Sequence, residues 1–525
     1  MTISYLFLSL LLLLLLPFYP TFTIAIDTNS IVVSDFTQQY NIQLINHCNY
    51  NNNITFQNWI SNQSRISHSN ILLNIRDNQS TISQHHFSPY QHDIPNGVII
   101  ASPSHQNPNY FFQWTRDSAI TALYLIDNMK QQNLTLYNTL INNYINNAYL
   151  LQRTNNTSGN FTPQDNWSNL GEPKFYSNNT PYNQIWGRPQ NDGPPLRLIS
   201  ILSYLINSNS NNQTVLNDIC QFDVKYILSH WNTKSFDPWE EVFSFHFFNH
   251  MIQLYALKLY QSYYPSNNDK ISIVSTIQSI ESFINKYYID HNLNLIIESP
   301  NLFEQRPSHV DIAVLIASSI THPLTNTLPE QKLNISMPFD TNNLLVLNVL
   351  YKLIQNMKSL YPINRKHLHN GNNAAVALGR YPEDIYDGIN TSQGNPWFLA
   401  TCQGANILYR LVHSLQYDHK DLIIPLSNNN NNNNNFWSLF FNSKSNHKEL
   451  VLPYHSTAFN ETIRQILNIA DGFIQIIKIH VNEKGEMSEQ FNKNNGFLTG
   501  AANLTWSYVE FVNAINARNT ILNYY

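Results

Sequence analysis

Three acids stand within five positions in the stretch Phe236-Asp237-Pro238-Trp239-Glu240-Glu241-Val242. A carboxylic acid that keeps its proton beside others that do not is the raw material of general acid catalysis. The same stretch reads as a helix start, with Asp237 as N-cap, Pro238 at the first helical position and Glu240 at the third, a capping-box arrangement. It precedes a helix expected from Val242, with Val242, Phe245, Phe248, Ile252 and Tyr255 on its buried face. A helix N-terminus favours the ionised carboxylate. For Glu240 to donate a proton, burial against aromatic groups and repulsion from Asp237, Glu241 or a distant carboxylate must outweigh that preference. Far along the chain, Glu489 lies in Gly485-Glu486-Met487-Ser488-Glu489-Gln490-Phe491, which has little helical periodicity and is expected to be a loop. An isolated loop glutamate is ordinarily solvated. Hydrolysis of a glycosidic bond needs two carboxyl groups in opposite protonation states, and Glu240 and Glu489 form such a pair only if the fold unites them.

Two further segments hold residues suited to polyhydroxyl ligands. Tyr110 precedes Trp114-Thr115-Arg116-Asp117-Ser118 at an expected helix start, and Gly379-Arg380-Tyr381-Pro382-Glu383-Asp384 precedes Gly394-Asn395-Pro396-Trp397. Hydroxyl groups need directional hydrogen bonds, which guanidinium forks and carboxylates supply, while the C–H face of a sugar ring packs on an aromatic ring. The competing reading pairs Arg116 with Asp117 at the helix start and leaves each tryptophan to the core.

The elements that must position these residues are helices. Apolar residues recur at helical spacing in Ile273, Ile277, Ile280, Ile284 and Tyr287, and again in Leu345, Leu347, Val349, Leu350 and Leu353. Other helices are expected over Ser118–Met129, Leu196–Ile206, Val242–Tyr260, Trp397–Leu415 and Thr462–Ile479, whereas clean strand alternation is scarce. The class is all-α, with long Pro-, Gly- and Asn-rich loops that carry the unusual residues. The tract Asn428–Asn435 cannot bury apolar surface and reads as a disordered loop insertion, not as a domain boundary.

Charged residues make up only 12% of the 525, the net charge is −5 and no basic run occurs, which excludes a nucleic-acid or anionic-lipid surface as partner. Met1–Ala25 holds an apolar stretch from Tyr5 to Pro20 and ends in Thr23-Ile24-Ala25, the pattern of a secretory signal peptide. Its uncharged start leaves an uncleaved anchor as the competing reading. Asn53, Asn62, Asn133, Asn160, Asn212, Asn334 and Asn460 are glycosylation acceptors compatible with export, although an Asn-rich chain yields many by chance. Cys48, Cys220 and Cys402 show no metal spacing; one bridge with a free thiol and three unpaired thiols both remain open.

The stretches GVIIASPSHQNPNYFFQWTRDS, GEPKF, WGRPQNDGPPLR, DPWEEV, GRYPED, GNPWFLAT and GEMSEQFNKNNGFLTGAANLTWSY, in this order from about Trp59 to Asn516, closely resemble the glucoamylase family of inverting glycosidases. The resemblance implies an (α/α)6 barrel of six inner and six outer helices, with the active site in a funnel of loops. It implies that Glu240 is the general acid and Glu489 the base that activates water. It further implies that Arg116, Asp117 and Arg380 hold the hydroxyls of the terminal glucose, that Trp114, Trp186, Trp239 and Trp397 wall the pocket, and that Tyr110 and Glu241 assist binding. The implied substrate is an α-glucan such as starch, dextrin or maltooligosaccharide; no cofactor or metal is implied. A single catalytic domain over residues 26–525, monomeric and free of membrane once the leader is removed, is expected outside the cell or in a lysosomal lumen. An insertion between Tyr386 and Gly394 departs from the family pattern, and no starch-binding module follows, so granular starch is expected to be a poor substrate. The same barrel also serves trehalases, glucodextranases and a non-catalytic kinase regulatory subunit, and the signal peptide with both glutamates in their motifs argues against the last.

Overall fold

The computed structural model describes residues 30–36, 42–47, 54–78, 84–87, 93–129, 132–300, 302, 304–324, 333, 335–368, 374–426, 435–443 and 447–522. The expected leader, Cys48, Asn53, Asn334 and the tract Asn428–Asn435 except its last residue lie outside them.

Among the described residues, twelve helices of ten or more residues follow one another: α1 (Ile54–Leu73), α2 (Thr115–Asn128), α3 (Leu134–Gln152), α4 (Gly193–Asn207), α5 (Gln221–His230), α6 (Phe247–Tyr263), α7 (Lys270–Tyr287), α8 (Ile312–Thr321), α9 (Leu344–Leu360), α10 (Phe398–Tyr417), α11 (Thr457–His480) and α12 (Thr505–Leu522). The even-numbered helices form a closed ring in which α2 packs on α4, α4 on α6, α6 on α8, α8 on α10, α10 on α12 and α12 back on α2. Each odd-numbered helix packs outside one of them: α3 on α2, α5 on α4, α7 on α6, α9 on α8, α11 on α10 and α1 on α12. This is the (α/α)6 barrel that the resemblance implies.

The two rings differ in sequence for a physical reason. An outer helix has one face on the barrel and one in water, so α7 buries only Ile273, Thr276, Ile280 and Ile284, a single stripe. An inner helix is covered on all sides, and α4 buries every residue from Gly193 to Ile206. Strands are short. Ser30–Val32 runs parallel to Glu449–Leu452, which also pairs antiparallel with Leu422–Pro425. Among the described residues no helix is long and apolar enough to cross a membrane. Cys220 and Cys402 are both free and buried, so they form no bridge with each other.

One expected helix starts later than its sequence suggested. The helix read from Val242 begins at Phe247, and Asp237–Val242 lies between the short antiparallel strands Ser235–Phe236 and Phe243–Ser244. Phe248, Ile252 and Tyr255 are buried as expected, whereas Val242 and Phe245 precede the helix. Asp237 does cap backbone N–H groups, since its Oδ1 accepts from Glu241 N at 2.7 Å and Val242 N at 3.0 Å. These are the donors of a tight turn, not of a helix, because Glu240 adopts a φ of 69° that no α-helix continues.

Candidate active site

What precedes or opens five of the six inner helices lines one cavity of ≈ 290 Å³, at the small end for small-molecule sites. Trp114, Arg116 and Asp117 come from the start of α2, Trp186 and Gly187 from the loop before α4, and Trp239, Glu240 and Glu241 from the turn before α6. Arg380, Tyr386 and Trp397 come from the segment before α10, and Glu489, Leu504 and Trp506 from the loop and first turn of α12. Before α8, the N-cap Asp311 accepts from Trp239 Nε1 at 3.0 and 3.1 Å and so holds that wall in place. The N-termini of α2 and α12, with their partial positive charge, therefore open onto a site rich in carboxylates, which they favour.

Glu240 is held by one oxygen. Its Oε1 accepts from Trp114 Nε1 at 2.7 Å and Gln190 Nε2 at 2.9 Å, with Arg116 Nη2 at 3.7 Å. The turn places Glu240 in the left-handed region, which costs a non-glycine residue about 1–3 kcal/mol and persists only where surroundings impose it. Beside it, the Glu241 carboxylate is clamped by Arg380 Nη2 at 2.7 Å, Arg306 Nη2 at 3.2 Å and the Tyr381 hydroxyl.

Glu489 is almost fully buried, and its backbone N–H donates to Ala501 O at 2.8 Å. Burial pushes its carboxyl up to about 8, while Arg380 and the Tyr110 and Tyr386 hydroxyls pull the other way. Those two hydroxyls lie 3.1 Å apart. Gly500, at φ +72°, lies so close that a Cβ there would stand 2.4 Å from Glu489 Oε2, so this hairpin needs glycine for both conformation and space.

Arg116 and Arg380 are each fixed by buried acids. Arg116 Nη1 donates to Asp192 at 2.9 Å and Gln190 at 2.8 Å, while Arg380 makes a fork to Asp384 at 2.6 and 2.8 Å. Asp117 is pushed up to about 6 by burial and by Glu240 and Asp192, against the pull of Arg116. Four buried polar atoms on cavity-lining residues make no hydrogen bond: Arg116 Nε, Trp186 Nε1, Trp397 Nε1 and Glu489 Oε2. Three donors and an acceptor beside aromatic faces match the hydrogen-bonding needs of a polyhydroxyl ring.

The family model of Glycosyl hydrolases family 15 matches residues 85–516. The chain belongs to this family. Its relatives include the intracellular sporulation-specific glucoamylase of Saccharomyces cerevisiae, 36% identical over 89% of this chain and 85% of the relative. A Saccharomycopsis fibuligera glucoamylase is 35% identical over 81% of this chain and 85% of its own length. Among solved structures, a glucoamylase of that yeast superposes with a TM-score of 0.77 at 31% identity, covering 90% of this chain and 98% of the other. The Hypocrea jecorina family 15 glucoamylase gives 0.72 at 26% identity, over 89% and 73%.

In this family 15 barrel all eleven residues singled out from the sequence line the one cavity: Tyr110, Trp114, Arg116, Asp117, Trp186, Trp239, Glu240, Glu241, Arg380, Trp397 and Glu489. Trp506 and Tyr386 were not singled out and also line it. Trp506 sits one residue into α12, and the convergence of inner-helix starts is the signal that would have found it. The insertion after Tyr386 folds as a tight turn on Asp387, whose Oδ1 accepts from Ile389 N and Asn390 N. Gly388 in that turn packs against Gly500 of the Glu489 hairpin.

Proposed function

We propose that this chain is a glucoamylase, an exo-acting hydrolase that releases β-glucose from the non-reducing ends of α-1,4-glucans. The observation that carries the reading is the placement of Glu240 and Glu489 on one cavity together with buried Arg116, Asp117 and Arg380. Trp114 and Gln190 both donate to Oε1 of Glu240, which leaves Oε2 as the oxygen that carries the proton. That proton goes to the glycosidic oxygen as its bond to the anomeric carbon breaks. Water attacks the opposite face of the sugar, and Glu489, in the ionised form that Arg380 and the Tyr110 and Tyr386 hydroxyls favour against burial, takes the proton that water loses, so configuration inverts in one displacement. Arg116, Asp117 and Arg380 receive the hydroxyls of the terminal glucose. Trp186 and Trp397 offer their free indole N–H groups to the same ring. Glu241, clamped by two arginines, keeps Arg380 aimed at the pocket. Incubation with maltose, soluble starch, isomaltose and trehalose tests this: glucose should appear fastest from the first two. Release from trehalose or isomaltose alone would place the chain with another exo-glucosidase on the same barrel.

We also infer that Met1–Ala25 directs the chain into the secretory pathway, where its acceptor asparagines meet the glycosylation machinery. The S. cerevisiae relative is described as intracellular, so this inference rests on the leader and not on kinship. Exported protein should begin after Ala25 on N-terminal sequencing and lose mass with an N-glycosidase; an intact Met1 with unchanged mass would contradict export.

A further inference from the structure

The turn that carries Glu240 needs something to hold it. It is six residues between two two-residue strands, with its key residue in a left-handed conformation. Its internal backbone bonds run from Glu240 N to Asp237 O at 2.9 Å and from Asp237 N to Val242 O at 3.1 Å, and Asp237 Oδ1 adds those from Glu241 N and Val242 N. A further tie comes from outside the turn. His246 occupies the N-cap position of α6 but gives that helix no side-chain cap. Instead its Nε2 lies 3.1 Å from Ser235 O, on the strand entering the turn, and 3.1 Å from Val242 O, on the chain leaving it. Both partners are carbonyl oxygens, so Nε2 must carry the hydrogen and share it between the two legs. The cap that His246 does not supply comes from Glu298, whose backbone oxygen accepts from Phe247 N at 2.8 Å and whose Oε1 accepts from Phe248 N at 3.3 Å.

The other ring nitrogen, Nδ1, makes no hydrogen bond and lies 3.8 Å from Glu298 Oε1. Arg306, Asp237 and His250 complete the titratable groups facing the ring, and Asp311 faces Glu298. Burial lowers the affinity of His246 for a second proton despite Asp237, and burial with repulsion from Asp311 keeps the proton on Glu298. The two carbonyl bonds fix a hydrogen on Nε2, and burial leaves Nδ1 without one.

We propose that His246 is a positioning residue for Glu240: its Nε2–H, shared between Ser235 O and Val242 O, closes the turn so that Oε1 of Glu240 reaches Trp114 and Gln190 and Oε2 faces the scissile bond. The proposal rests on the glucoamylase reading of the cavity. A misplaced acid slows only reactions that need a proton on the leaving group. Maltose needs one, whereas α-D-glucosyl fluoride, whose fluoride leaves with little help, does not.

His246→Leu removes the tie. Its kcat on maltose should fall about 10- to 100-fold with KM within about 3-fold, while turnover of the fluoride falls less than about 3-fold. His246→Gln, which can place an amide N–H near the same carbonyls, should restore most of the maltose activity. If the leucine variant does not fold, His246→Asn, polar but too short to span both legs, should show the same selective loss. Equal losses on the two substrates, or a folded leucine or asparagine variant with full activity on maltose, would overturn the proposal while leaving the glucoamylase reading intact. A wild-type enzyme inactive on both substrates would remove that reading, and the proposal with it.

Discussion

Replacing Glu489 by glutamine leaves the shape of the side chain and removes its ionisation. An unfolded glutamic acid loses its proton near 4.5, whereas burial holds Glu489 to about 8. Between those values the folded protein binds more protons than the unfolded chain, so wild-type stability falls as pH rises through that window; below 4.5 both states are protonated and the effect vanishes. At about 1.4 kcal/mol per pH unit, the loss is about 2 kcal/mol at pH 6, with a ceiling of about 5 kcal/mol above pH 8. Glutamine has no such loss. With an unfolding entropy of about 2 cal/mol/K per residue over 525 residues, Glu489→Gln should melt about 2 °C higher than wild type at pH 6, about 4 °C higher at pH 8 and at the same temperature at pH 4.5. The same variant should lose at least about 100-fold in kcat on maltose, because water is no longer activated. Thermal unfolding followed by far-UV circular dichroism across pH 4.5–8 measures the first effect, and glucose release the second. A gap that does not widen with pH, or a variant less stable at pH 8, would refute the argument that desolvation of this carboxyl dominates.

Glu240→Gln should lower kcat on maltose about 10²- to 10⁴-fold and leave the melting temperature nearly unchanged, since the amide oxygen can still accept from Trp114 and Gln190; retained activity with a collapsed melting temperature would make Glu240 a structural residue. Tyr110→Phe removes a donor that lowers the pKa of Glu489, so the base becomes ionised only at a higher pH and the acid limb of kcat/KM should move up by as much as about one unit. A limb that stays in place or moves down would show that the hydroxyl does not bond the base.

Among the outer helices α7, α9 and α11 were legible from apolar spacing, and the stripe Ile273, Ile280, Ile284 in α7 survives in the structure as its buried face, whereas α3 and α5 were not read. The inner helices α2, α4, α6 and α10 were read as helices and α8 was not, and the arrangement of the rings came from the resemblance. The eleven residues drawn from the motifs meet at one cavity because each stands at the N-terminus of an inner helix or in the segment that leads into one. What local reasoning misjudged was Asp237-Pro238-Trp239-Glu240. An aspartate before Pro-Trp-Glu serves a helix or a turn equally well in sequence, and only the structure decides, through donors four and five residues on and the positive φ of Glu240. Arg306, Asp311 and His246 were not legible at all. They act through Glu241, Trp239 and the carbonyls of Ser235 and Val242, contacts that no spacing in the sequence announces.

The central claim is a single displacement by an acid and a base on opposite faces of the sugar, and the anomer first released tests it most directly. Proton NMR of a fresh digest of soluble dextrin, recorded before mutarotation, should show β-glucose accumulating first, as inversion at an α-linked chain end requires. Early accumulation of α-glucose, or a glycosyl ester trapped on Glu489, would mean a double displacement and would contradict the roles given to Glu240 and Glu489.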